Sequence, residues 1–223
     1  MAQLASGGYW TTTITLINTG TEPALATLNF FGNNGNPLQL PLKFPQNALS
    51  PVTASTLTST LNAGAGLIIE TTGPDNQQAQ VGWAQLLTNG NVNGFAVFTQ
   101  TVASRQEQQE AVAPLDNRHA GAYVLWFDNT SGFATGVAVA NTSTLPASIT
   151  MIIRDDTGTV SSTQTISLSA RGHTSFDLGT QFGATAGLRG TLEFDTPPGG
   201  QISVLGLRFD PALAFTSVPA ITE

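Results

Sequence analysis

The chain has 223 residues, of which 9 % are charged, and a net charge of −7 from 7 Lys+Arg against 14 Asp+Glu; typical soluble domains are roughly 25 % charged. Lys43, Arg105, Arg118, Arg154, Arg171, Arg189 and Arg208 stand singly along the sequence, so the clustered cations that nucleic acid or an anionic membrane requires are missing. A cysteine count of 0 removes disulfide frameworks, thiolate metal sites and cysteine nucleophiles.

A chain of this length is large enough for one big β-domain or two ordinary ones. No apolar run approaches the ~18 residues needed for a membrane-spanning helix. The start, MAQLASGGYW, has neither a basic n-region nor an apolar h-region. Either the protein is intracellular, or this chain is a mature or excised piece of an extracellular or cell-surface protein, and the repeat further along the chain favours the second reading.

In chain order, the first clear element runs from Trp10 to Ile17. Trp10, Thr12, Ile14 and Leu16 alternate with Thr11, Thr13, Thr15 and Ile17, the period-two pattern of a half-buried strand. The reversal NTGTEP and a second strand, ALATLNFF, follow. FFGNNGNP closes another hairpin, with Gly35 suited to a positive φ. LIIE, QVGWAQLL, GFAVFTQT and EAVAP read as further strands.

Beyond PLDNRHAG (Pro114 to Gly121) the pattern returns. VAVANTSTLPASITMII, Val137 to Ile153, is a near-copy of ITLINTGTEPALATLNF, Ile14 to Phe30. The offset 141 − 18 = 123 carries Trp10 onto Phe133, Thr12 onto Thr135, Asn18 onto Asn141 and Pro23 onto Pro146. Later, LNAGAGLIIE faces LSARGHTSFD at 168 − 61 = 107, and Gly82 faces Gly190 at 190 − 82 = 108. The drop, 123 − 107 = 16, places 16 extra residues between Leu42 and Leu61 of the first copy. TSFD, GTLEF, ISVLGLRF and FTSVPA complete the strands of the second copy.

This predicts an all-β fold: two tandem antiparallel β-sandwich domains of immunoglobulin-like size arising from an internal duplication, with roughly seven strands each. The domains span residues 1–115, with an extra loop over 43–60, and 121–223. At offset 123, Tyr123 falls before Met1. The first copy therefore begins part-way through its first strand, as in a trimmed longer protein, and leaves a sheet edge as a template for another chain.

GGYWTTTITLINTGTEPALATLNFFGNNGNPL, VGWAQL, GFAVFTQ, FDNTSGFATGVAVANTS, RGTLEF, ISVLGLRF and AFTSVP together resemble a family of tandem β-sandwich segments, without assigned activity, from large secreted proteins of soil bacteria. The ITLINTGTEPALATLNFF hairpin is similar to bacterial adhesion-related immunoglobulin-like domains of the CARDB type. The resemblance implies an extracellular accessory or adhesive module and carries no catalytic residues with it.

His119 and His173 belong to no HExxH or His-x-His arrangement, and each reads as a solvated or capping histidine. Asp155 and Asp156, in RDDTG, are the candidate calcium ligands, although an Asx turn accounts for DDTG without an ion. Glu70, Asp75, Glu193 and Asp195 lie at strand ends and turns without an evident carboxylate partner of the kind glycoside hydrolysis needs. Neither a GxSxG elbow nor a phosphate-binding loop is present. Trp10 reads as core; Trp126, in a run apolar on both faces, as core or interdomain contact. Trp83 matches Thr191 and should point outward beside Gln85, where it would suit sugar stacking, a protein contact or partial burial.

The expected function is therefore a non-catalytic adhesive, spacer or binding segment without a cofactor, which meets a protein or polysaccharide surface. The alternatives are a carbohydrate-binding module centred on Trp83 and a subunit that self-assembles through an open sheet edge.

Overall fold

The computed structural model describes all residues except 47–49, 103–106 and 197–200. Gln3–Leu115 form one compact unit and Asp116–Glu223 the other. The first unit holds β1 (Leu4–Ser6), β2 (Trp10–Asn18), β3 (Ala24–Gly32), β4 (Leu40–Lys43), β5 (Val52–Ala54), β6 (Thr56–Leu61), β7 (Gly66–Thr71), β8 (Gln80–Thr88), β9 (Val92–Val102) and β10 (Glu107–Pro114). The second holds β11 (Ala122–Asp128), β12 (Ala134–Asn141), β13 (Ala147–Asp155), β14 (Val160–Leu168), β15 (His173–Asp177), β16 (Arg189–Asp195), β17 (Ile202–Phe209), β18 (Phe215–Pro219) and β19 (Ile221–Thr222). A single-turn helix, α1 (Leu178–Gln181), follows β15 and is capped by the Asp177 carboxylate, which accepts from Thr180 N at 2.7 Å.

Each unit is a pair of antiparallel sheets. In the first unit the strand orders are β1-β8-β3-β6 and β10-β9-β2-β7-β4-β5; in the second they are β14-β13-β16-β11-β19 and β15-β12-β17-β18. Strand for strand, β11, β16, β13 and β14 occupy the places of β1, β8, β3 and β6, and β18, β17, β12 and β15 those of β10, β9, β2 and β7. The chain is an all-β protein of sandwich type.

The expected loop over 43–60 is a correction. In its described part the chain forms β5, which pairs with β4 (Leu42↔Val52), and β6, which pairs with β3 (Ala24↔Leu61). β4 and β5 together form a two-strand extension on the β7 edge, whereas β6 takes the place that β14 has in the second unit. The sequence hid it because Val52–Ala54 is short and exposed on both faces, with no apolar alternation to mark it.

Alternation places the cores. Along β2, Thr12, Ile14, Leu16 and Asn18 are buried while their neighbours reach toward solvent; along β13, Ala147, Ile149, Met151 and Ile153 do the same. In the second unit these pack with Tyr123, Leu125, Phe127, Leu192 and Phe194. Each such large apolar side chain contributes about 1.5–3 kcal/mol by leaving water.

Two equivalent glycines permit close strand approach. A Cβ at Gly82 would run into the Phe31 carbonyl oxygen, and one at Gly190 into that of Arg154. Since 154 − 31 = 123, the same contact recurs in both units, and only glycine fits it.

Candidate functional site

The structure first corrects Trp83. Its strand β8 lies between β1 and β3, and Trp83 stands opposite Phe31. Residues of even number in β3 face the core, so the Phe31–Trp83 pair lies on the outer face, as alternation predicts. Yet Trp83 is only 1 % exposed. Its ring stacks on Phe31, with centroids 5.1 Å apart and planes at 29°. The sequence comparison with Thr191 fixed the face of the sheet but left out the second aromatic lying on it. Gln85, on the same face, is half-buried opposite Asn29.

In the second unit the equivalent pair is polar: Arg154 stands opposite Thr191. The exposed aromatic is on the next strand instead. Tyr123, Leu125 and Phe127 of β11 face the core, so Val124 and Trp126 face outward, and Trp126 is 47 % exposed. It stands opposite Thr191, which stands opposite Arg154. One row away, Ile221 of β19 is opposite Val124, Val124 is opposite Glu193, and Glu193 is opposite Ile152. Ile221 is 70 % exposed.

This outer face thus carries a short apolar strip, Trp126, Val124 and Ile221, bordered by Thr191 and by an ion pair. Arg154 donates to Glu193 Oε2 through Nη2 at 3.0 Å and Nε at 3.4 Å. Below Trp126 on the sheet, Asp128 stands opposite Arg189. Hydrogen bonds from Thr130, joined by the charges of Arg189 and Arg208, hold the Asp128 carboxyl below its ordinary pKa. At the other end of β16, Asp195 stands on the same face opposite the uncharged Ala122 and Thr150.

Trp126 was ambiguous in the sequence because AYVLWFD has no polar alternate to set its phase. A signal was available: 126 − 123 = 3 places Trp126 on Gln3, a polar residue.

Asp155 serves the backbone of its turn. Asp155 Oδ1 accepts from Thr157 N at 2.9 Å, Thr157 Oγ1 at 2.7 Å and Thr159 N at 2.9 Å, closing the β13–β14 hairpin. These bonds, led by the Thr157 hydroxyl, lower its pKa. Asp156 takes no part in them. Among the described residues no group of three or more His, Asp or Glu side chains converges as a metal site. Glu70 pairs with Lys43 at 2.6 Å on a partly exposed surface, a contact of small energetic weight. His119 is exposed in the linker with a positive φ of 47°.

His173 is a second correction. In β15, opposite Ala140, it is buried and not solvated. Desolvation pushes its pKa down to about 4.

The linker holds a polar cluster that the sequence did not announce. Arg118 donates to Asp116 Oδ1 through Nε at 2.9 Å and to Oδ2 through Nη2 at 3.1 Å. Its Nη1 donates to the Ala220 carbonyl at 2.7 Å, and its guanidinium lies 5.3 Å from the Tyr123 ring centroid. Burial acts to raise the Asp116 pKa, but the Arg118 hydrogen bonds and charge outweigh it and hold the carboxyl below its ordinary value. The cluster fastens the start of the second unit to its own sheet.

No protein-family model and no curated protein matches the chain. Among solved structures, a crystal structure assigned as a beta-galactosidase from Bacteroides fragilis aligns at 15 % identity and a TM-score of 0.18, covering 99 % of this chain and 32 % of that one. A likeness at that level carries no argument about fold or activity. The sandwich architecture stands on the strand pairing alone.

Proposed function

We propose that the chain is a non-catalytic module of two β-sandwich units descended from an internal duplication, an adhesive, spacer or binding segment of a larger secreted or surface protein. The observation that carries this reading is the repeated structural use of buried polar side chains. Thr12 Oγ1 accepts from Ala5 N at 2.9 Å and donates to Ala5 O at 2.7 Å. Thr135 Oγ1 accepts from Asp128 N at 3.0 Å and donates to Asp128 O at 3.2 Å. Both partners sit at the same offset, 128 − 5 = 123; β1 is an edge strand, and β11 has β19 beside it only at Tyr123 and Val124, so Asp128 lies beyond that pairing. Such capping blunts edge pairing, so it supports a segment that presents a sheet face over one that assembles by strand addition.

Turnover assays test the non-catalytic reading. The purified chain, incubated with polysaccharides and with chromogenic glycosides and esters, releases no product above a heat-denatured control. Product release that Glu193→Gln or Asp195→Asn abolishes, with the fold intact, would contradict it.

A further inference from the structure

We infer that the outer face of the β14-β13-β16-β11-β19 sheet, centred on Trp126, is a binding platform for a neutral polysaccharide. The inference rests on the binding-module reading and adds to it the ligand class and the residues.

Three features of this face select that occupant. The first is area. A large aromatic offers about 150–250 Å², so a strip of Trp126, Val124 and Ile221 falls well short of the roughly 800 Å² per partner of a stable protein complex. It suits a ligand about as wide as the indole itself. The second is charge. Arg154 is paired with Glu193 at 3.0 Å, Asp128 stands opposite Arg189, and Asp195 stands opposite the uncharged Ala122 and Thr150, so the face carries no cluster of one sign to attract an ionic polymer. The third is chemistry. Thr191, Arg154 and Glu193 place hydroxyl, donor and acceptor groups beside an exposed ring. A sugar ring has an apolar C–H face to lie on the indole and hydroxyls at its rim to both give and take hydrogen bonds. Since neighbouring strands are about 4.8 Å apart, Trp126, Thr191 and Arg154 form a row extending roughly 10 Å, long enough to follow a chain beyond one ring.

The test is affinity electrophoresis in gels containing soluble hydroxyethylcellulose, glycol chitin or arabinoxylan, with polygalacturonate as the anionic comparison. Wild type, Trp126→Ala, Trp126→Phe and Glu193→Gln run side by side, and circular dichroism shows that each is folded. At least one neutral polymer retards the wild type, Trp126→Ala weakens that affinity about tenfold or more, and Trp126→Phe keeps an intermediate affinity because a smaller ring remains. Retardation unchanged in Trp126→Ala, retardation by polygalacturonate alone, or no retardation by any neutral polymer would overturn the inference. The module reading has its own test: hydrolysis of a polymer that binds contradicts that reading and leaves the platform in place, whereas neither binding nor turnover removes the platform and leaves the module.

Discussion

Asn18 and Asn141 make the same clamp in the two units. Asn18 Nδ2 donates to Glu22 O at 2.8 Å and Leu61 O at 3.0 Å while Oδ1 accepts from Gly20 N at 2.9 Å. Asn141 Nδ2 donates to Leu145 O and Ser169 O, both at 2.8 Å, and Oδ1 accepts from Ser143 N at 3.0 Å. Both side chains are fully buried, and each ties the end of a strand to the following turn and to a distant loop. Replacing either with Ala leaves buried backbone groups without partners, at about 3 kcal/mol. Urea unfolding of Asn18→Ala and Asn141→Ala reads it as a lowered midpoint. Asn141→Asp, which keeps the size but loses the donors, falls with them.

The two tryptophans should behave oppositely. Trp83→Ala empties a buried stack against Phe31 and costs about 3–5 kcal/mol. Trp126→Ala, at an exposed position, changes stability by about 0.5 kcal/mol or less. Thermal melts of the two variants measure the contrast, and equal losses would show that Trp126 is a packing residue.

These residues also mark how far the sequence could be read. Period-two alternation along Trp10–Ile17 and the constant offset between the two hairpins were enough to give the all-β class and most strands, because burial on one face leaves a periodic trace. Val52–Ala54 leaves none, since both its faces meet solvent. Trp83 was assigned to the correct face of its strand, but whether a residue on an outer face is bare depends on its cross-strand neighbour, and Phe31 is more than fifty positions away in the chain. Trp126 lay in a run without polar residues, where phase is undefined until β16 pairs with it.

Asp155 closes the β13–β14 hairpin through hydrogen bonds to Thr157 and Thr159. Asp155→Ala should lower the melting temperature modestly, and Asp156→Ala should have a smaller effect. Calcium chloride and a chelator should leave the wild-type melt in the same place. A calcium-dependent rise abolished in Asp155→Ala would show that the turn is an ion site.

Acid should destabilise the second unit through His173. Its folded pKa is about 4, against an ordinary value of 6.5. Between these values the unfolded chain binds a proton that the folded one refuses, so stability falls as pH drops from 6.5 toward 4, by up to about 3 kcal/mol in all. The lowered Asp116 pKa acts in a more acidic window: its contribution is present above the ordinary carboxylate value of 3.8 and fades as the pH falls through the folded value. Urea midpoints at intervals from pH 7 to pH 4 measure the first slope, and His173→Gln should flatten it.

The most direct measurement is an amide NMR titration of the isotope-labelled chain with cellohexaose, chitohexaose and xylohexaose. At least one of them shifts the Trp126 indole and the amides of Val124, Trp126, Thr191 and Glu193, and these shifts vanish in Trp126→Ala. Shifts confined to the first unit or to the β15-β12-β17-β18 sheet, or no shifts with any of the three sugars, would contradict the platform at Trp126.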